Sequence, residues 1–243
     1  MLRALRERHP GVAVWRILYW AFMHFLCYVW VAPCYRYRAW GITNVPRTGP
    51  VLLVSSHQSF MDPILVGLGC HHRQFYAMAR ATLWDSALLG KLIDSLNAIP
   101  VDQESADLPA MRKCVDVLRK NQGLLVFPEG ARTEDGSIAP FAPGMMLLVR
   151  RAKPKVVPVA IEGAFDVWSR YRKAPKLCGR VGVVYGEPIE AERLLAMEAP
   201  TEFLRQQCEV LRQEAARRIG NPREMMEDFT AETRRTLSGD NSN

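Results

Sequence analysis

Apolar and polar positions fall along this chain in two alternating kinds of block. Short unbroken apolar runs bounded by polar or turn residues, at 51–54, 98–101, 124–127 and 156–161, read as strands buried on both faces. Residues 74–79 and 180–185 read as further strands. Between them lie helical patterns. Residues 82–96 form one, and 145–152 another. Ser105 is expected to cap an amphipathic helix whose stripe is Leu108, Met111, Val115 and Leu118. Residues 201–219 place Phe203, Leu204, Leu211, Ala215 and Ile219 on one side of a last helix. Strands that alternate with helices predict an α/β domain with a mixed, largely parallel sheet flanked by helices. Pro158 interrupts the run at 156–161, so an edge, a bulge or a deliberate irregularity is expected there.

The beginning of the chain has a different pattern. Residues 12–33 are apolar and aromatic, and 17–33 carry no formal charge, only His24. Trp15, Tyr19, Trp20, Phe22, Phe25, Tyr28 and Trp30 lie in this run; Arg3, Arg6, Arg8 and Arg16 precede most of it, and Arg36 and Arg38 follow. The charge-free stretch is slightly short for a span, for which about 20 residues are needed. No small-residue cleavage site follows it, as a signal peptide would require. Aromatic residues flanked by arginines fit an anchor at the headgroup boundary of an anionic membrane. Spanning and one-leaflet arrangements both remain open. The expected organisation is a membrane-anchoring helical segment over 1–40, an α/β domain over 41–220 and a polar tail over 221–243.

Composition narrows the class. Of 243 residues, 49% are hydrophobic and 23% charged, which supports a folded core and excludes a disordered chain. The formal net charge of +7 suits an anionic membrane, a phosphorylated substrate or nucleic acid. The arginines around the aromatic segment favour the bilayer over nucleic acid. Six scattered cysteines form no Cys-x-x-Cys pair, so neither a disulfide framework nor a zinc site is expected. His71 and His72 are adjacent and diverge on any regular element, so they read as a solvated loop and not as metal ligands.

Chemistry concentrates in two turns. Ser55-Ser56-His57-Gln58-Ser59-Phe60-Met61-Asp62 follows the first apolar strand, and Pro63 then opens a helix. A carboxylate five positions after a histidine can bond one ring nitrogen and leave the other as a base. Taken alone, Asp62 reads first as a helix cap and His57 as a loop histidine. Phe127-Pro128-Glu129-Gly130-Ala131-Arg132-Thr133 follows another strand, and its proline and glycine require a sharp open turn. Ligands of open α/β sheets bind beyond the carboxyl ends of the strands. There Arg132 is a natural fork for phosphate or carboxylate, unless it merely pairs with Glu129.

The two turns together resemble the glycerolipid acyltransferase family, whose bacterial lysophosphatidic acid acyltransferase acylates 1-acylglycerol 3-phosphate. Ala98-Ile99-Pro100-Val101-Asp102-Gln103 and Val157-Pro158-Val159-Ala160-Ile161-Glu162-Gly163 match two lesser blocks of that family in the same order. The resemblance covers roughly residues 40–190 and departs from the family at Ser56, Gln103 and Ala131, where asparagine, arginine and threonine or serine are usual.

The resemblance implies an enzyme of phospholipid biosynthesis, associated with the cytoplasmic face of the membrane. It would move an acyl group from acyl-CoA or acyl carrier protein to the hydroxyl of a lysophospholipid, with no cofactor and no nucleic-acid partner. His57 and Asp62 would be catalytic. Arg80, Glu129, Gly130, Arg132 and Thr133 would bind substrate, with the arginines on the acceptor's phosphate. A different acceptor lipid is one alternative. A thioesterase or lipid hydrolase using the same His–Asp pair is the other.

Overall fold

The computed structural model of the chain describes residues 12–102 and 107–221. Arg3, Arg6, Arg8, Gln103, Ser105 and the tail after Asn221 lie outside the described residues. The described elements, in order, are α1 (Val14–Cys34), β1 (Arg38–Trp40), β2 (Val51–Ser55), α2 (Asp62–Gly69) and β3 (Phe75–Arg80). There follow α3 (Ala87–Ser95), β4 (Ala98–Val101), α4 (Leu108–Arg119), β5 (Gly123–Val126), α5 (Met145–Ala152) and β6 (Lys155–Glu162). The last are α6 (Ala164–Trp168), β7 (Gly182–Tyr185), α7 (Ala191–Leu195) and α8 (Pro200–Ile219).

The strands form one seven-stranded sheet in the order β1-β7-β6-β2-β5-β3-β4. All neighbours are parallel except β6 and β7. This is the mixed, largely parallel α/β sheet expected from the sequence. The central strands are largely apolar because both faces are covered. Leu52, Val54, Leu124, Val126 and Val156 form one core with Cys114 and Leu118 of α4, Leu148 of α5 and Leu204 of α8. Leu53, Leu125, Val157, Val159 and Ile161 form the other, with Leu65 and Val66 of α2, Val167 of α6 and Val31 of α1.

Pro158 sits inside the sheet, opposite Val54 of β2. On its other side β7 ends at Tyr185, and Gly186 N–H donates to the Pro158 carbonyl at 2.8 Å. Val156 next pairs with Ile189. Three steps of chain from Gly186 therefore match two steps of β6, so the missing proline N–H faces a local bulge.

Other expectations are adjusted. Asp107, not Ser105, caps α4 by accepting the Ala110 N–H at 2.9 Å. Leu108 is 57% exposed at the first turn, and the buried stripe runs through Ala110, Cys114, Val115, Val117 and Leu118. The helix expected over 82–96 divides into a 3₁₀ turn (Ala81–Asp85) and α3, with Ser86 capping α3. Edge strand β1 was not foreseen.

α1 has 21 residues and is the one helix among those described that is long and apolar enough to cross a membrane. Ile17 and Val31 are buried, while Trp15, Leu18, Phe22, Phe25, Val29 and Trp30 are exposed. The inner face docks polar groups: His24 Nε2 lies 3.2 Å from the Leu68 carbonyl of α2, and Tyr19 OH lies 3.0 Å from Ser95 Oγ. Because β2, β3, β5 and β6 are mutually parallel, their carboxyl ends share one rim of the sheet. His57 follows β2, Arg80 ends β3, Glu129 follows β5 and Glu162 ends β6.

Candidate active site

The loop between β2 and α2 closes on the Asp62 side chain. Asp62 Oδ2 accepts the N–H groups of Gln58 at 2.6 Å and Ser59 at 2.7 Å, and lies 2.8 Å from His57 Nδ1. The carboxylate thus turns back into the loop and forms no side-chain cap on α2. That disposes of the helix-cap reading. Asp62 is fully buried, and its Oδ1 has no hydrogen-bond partner. Burial raises the Asp62 carboxyl above the ordinary carboxylate range, opposed by His57 and by the Ser59 and Gln58 N–H groups. The His57 side chain is 19% exposed, so it opens to the rim while its partner is sealed. The Phe127 ring stacks on the imidazole, with centroids 4.2 Å apart and 20° between planes.

The second turn grips the backbone of the same histidine. Glu129 Oε1 accepts the His57 N–H at 2.7 Å, and Thr133 N–H donates to the His57 carbonyl at 2.8 Å. Glu129 Oε2 accepts the Ala139 N–H at 3.0 Å. Both carboxylate oxygens therefore hold backbone. Burial pushes the Glu129 carboxyl up to about 7, against the Ala139 and His57 bonds that lower it. Thr133 is buried, and its hydroxyl accepts the Gly136 N–H at 3.1 Å, which closes the following turn. Gly130 sits at φ +75°, a left-handed value that favours glycine, and its N–H donates to the Phe127 carbonyl at 3.1 Å.

Arg132 is half-buried beside this arrangement. Its Cζ sits 3.3 Å from the centroid of the Phe60 ring, and its buried Nη1 has no hydrogen-bond partner. Burial lowers its pKa, and the nearby charges of Arg170 and Arg80 lower it further. Arg132 does not pair with Glu129, whose oxygens are occupied by the two N–H groups. The structure thus brings His57, Asp62, Glu129, Gly130, Arg132 and Thr133 together, with Arg80 at the neighbouring strand end.

Several groups escaped the sequence reading. Gln58 is buried; its Nε2 donates to the Gly136 carbonyl at 3.3 Å and to Glu162 Oε2 at 3.4 Å. Glu162 in turn accepts Arg212 Nη1 at 3.1 Å and Asn221 Nδ2 at 2.6 Å. Phe60, Phe127, Gln58 and Glu162 lie within the four sequence blocks, which was a usable signal. Nothing marked Arg170, Arg212 or Asn221. An apolar cavity of about 100 Å³ also opens between α1, α2 and β3, lined by Trp20, Cys27, Pro63, Ile64, Leu68 and Phe75 among others. Among the described residues no cluster of His, Cys, Asp and Glu could hold a metal ion.

Comparison with known proteins agrees with this geometry. The chain is 24% identical over 193 residues to a chloroplastic 1-acyl-sn-glycerol-3-phosphate acyltransferase of Arabidopsis thaliana, covering 76% of this chain and 53% of the relative. It is 25% identical over 177 residues to the 1-acyl-sn-glycerol-3-phosphate acyltransferase of Bacillus subtilis, covering 69% of this chain and 84% of that one. The chain thus spans about half the length of the plant relative and most of the bacterial one. The crystal structure of the 1-acyl-sn-glycerophosphate acyltransferase from Thermotoga maritima shares the fold, with a TM-score of 0.68, 20% identity and 87% of each chain covered. The model of the acyltransferase family matches residues 36–162, more than half of the 243, and takes in both turns of the site. This chain belongs to the acyltransferase family.

Proposed function

We propose that this protein transfers a fatty acyl group from a thioester, on coenzyme A or acyl carrier protein, to the free hydroxyl of 1-acylglycerol 3-phosphate. The observation that carries the proposal is the imidazole of His57, bonded at Nδ1 to buried Asp62 and held by backbone to the Glu129 turn, with the Arg132 guanidinium on the Phe60 ring of the same loop. With Nδ1–H donating to Asp62, Nε2 is left to receive the proton of the acceptor hydroxyl as its oxygen attacks the thioester carbon. Asp62 stabilises the imidazolium. The tetrahedral intermediate then expels the thiolate, which takes the proton back from His57. No step needs an acyl-enzyme. General base catalysis of this kind contributes roughly 10²–10⁴-fold.

Arg132 receives the acceptor's phosphate on its guanidinium, and Arg80 adds charge from the end of β3. Glu129 and Thr133 serve as positioning groups, and Gly130 allows the turn. The cavity beside Pro63 suits the acyl chain, being apolar and next to Asp62 in sequence. α1 holds the site at the cytoplasmic surface of a membrane through its exposed aromatic face.

The test is purified protein with one acyl thioester and a panel of lysolipids, read by mass spectrometry. Phosphatidic acid as the product supports the proposal. Free fatty acid without acylated lipid refutes it in favour of a hydrolase, and acylation of another lysolipid alone refutes the acceptor.

A further inference from the structure

We propose that Arg170, which follows α6 and lies outside both the four sequence blocks and the region matched by the family model, is the second guanidinium of the acceptor's phosphate site. The proposal rests on the acyltransferase reading above and adds a residue that sets headgroup specificity.

Two contacts pin the segment that carries Arg170 to the loop that carries His57, and Arg170 itself reaches the second turn. Ser59 Oγ donates to the Trp168 carbonyl at 2.8 Å. The Trp168 ring packs on Phe60 with centroids 5.1 Å apart. Arg170 Nη1 reaches the Arg132 carbonyl at 3.4 Å and Glu134 Oε1 at 3.0 Å. Phe60 lies between the two arginine-bearing segments: one neighbour is Trp168, and the other is the Arg132 guanidinium on its ring. The same aromatic ring therefore joins the two segments.

Charge explains why two guanidiniums should be held together. Arg170 is close enough to be the foremost charge acting against Arg132, ahead of Arg80. Like charges repel, so gathering them costs stability unless an anion joins them. One acid at hand pairs with Arg170, and none pairs with Arg132. Glu134 is the partner of Arg170, and Asp62 is turned toward His57 and two backbone N–H groups. The buried Arg132 Nη1 remains without an acceptor. A phosphate monoester carries up to two negative charges and several acceptor oxygens, which suits two forks approaching from different segments. A neutral or zwitterionic headgroup would gain less.

The test uses the full chain with Arg170→Met and Arg170→Lys. Direct binding of detergent-solubilised 1-acylglycerol 3-phosphate is measured by calorimetry, and steady-state rates are measured with the same lipid and with monoacylglycerol. Arg170→Met should weaken binding and raise the acceptor KM roughly 10- to 100-fold, the range expected for losing a charge-assisted bond. The KM for the thioester and the rate with monoacylglycerol should stay at wild-type values, and Arg170→Lys should recover part of the loss. Unchanged acceptor binding in Arg170→Met overturns the assignment, as does a loss confined to the thioester. If the wild type binds the phosphate lipid in this Arg170-dependent way but does not acylate it, the acyltransferase reading fails and the Arg170 site stands. If the wild type does not bind it, both fail.

Discussion

Replacing Asp62 by asparagine separates two tasks of this carboxylate. Oδ2 faces three N–H donors: His57 Nδ1 at 2.8 Å, and the backbone of Gln58 and Ser59 at 2.6 and 2.7 Å. An asparagine NH₂ cannot occupy that corner, because it would oppose two fixed backbone donors. The amide oxygen must go there, and the nitrogen takes the place of Oδ1, which already has no partner. His57 then keeps the tautomer with Nδ1 protonated. What disappears is the negative charge that stabilises the imidazolium. A bond to a charged group contributes about 1.5–3 kcal/mol, so kcat should fall roughly 10- to 150-fold. His57→Ala removes the base and should fall further. Asp62→Ala adds a folding penalty of about 1–3 kcal/mol for each backbone N–H left unpaired. The assay is phosphatidic acid formation at saturating substrates, with unfolding in denaturant as the control. If Asp62→Asn is as inactive as His57→Ala, the backbone does not set the tautomer. If it keeps more than a third of wild-type kcat, the carboxylate is only structural.

Other perturbations test separate parts of the structure. Arg132→Ala should raise the KM for the acceptor well above any change for the thioester, and equal rises would remove its assigned role. Glu129 titrates near 7 in the fold and near 4.5 when unfolded, so the stability it contributes is complete below pH 4.5 and gone above about 7. That change is up to ~3 kcal/mol, and melting curves of Glu129→Gln across this window should lack it. Arg212→Ala leaves buried Glu162 without its cation and should cost about 3–5 kcal/mol in denaturant unfolding. Phe22→Ser with Phe25→Ser removes two exposed rings from α1 and should lower binding to anionic liposomes by about 3–5 kcal/mol, with the melting temperature of the α/β domain retained. Liposome binding at wild-type strength would show that the face does not enter lipid.

The legible parts of this molecule are those whose cause is local. The runs in β2, β5 and β6 are apolar because both faces of those strands are buried, and they stand out as strands to within a residue or so. β1 was not legible, since three residues on a sheet edge need only one parallel neighbour, β7, and carry no periodic signal. The cap of α4 was misplaced because Ser105 and Asp107 are both plausible by type, and only the geometry of Ala110 N–H decides. His57 and Asp62 were legible as a pair because five residues of chain suffice to close the loop between them. The role of Glu129 was not. Its partner is a backbone N–H 72 residues away, and a backbone donor leaves no mark in the sequence. Gln58 and Glu162 are 104 residues apart, and Arg212 reaches Glu162 from a helix that no block includes. These long-range bonds also give the two turns a physical reason to occur together. The His57 N–H and carbonyl are each held by the second turn, through Glu129 and Thr133. A shift of either turn therefore moves the imidazole relative to Arg132. The second block acts on the first through the histidine's main chain, while its own arginine lies against the Phe60 ring of the first.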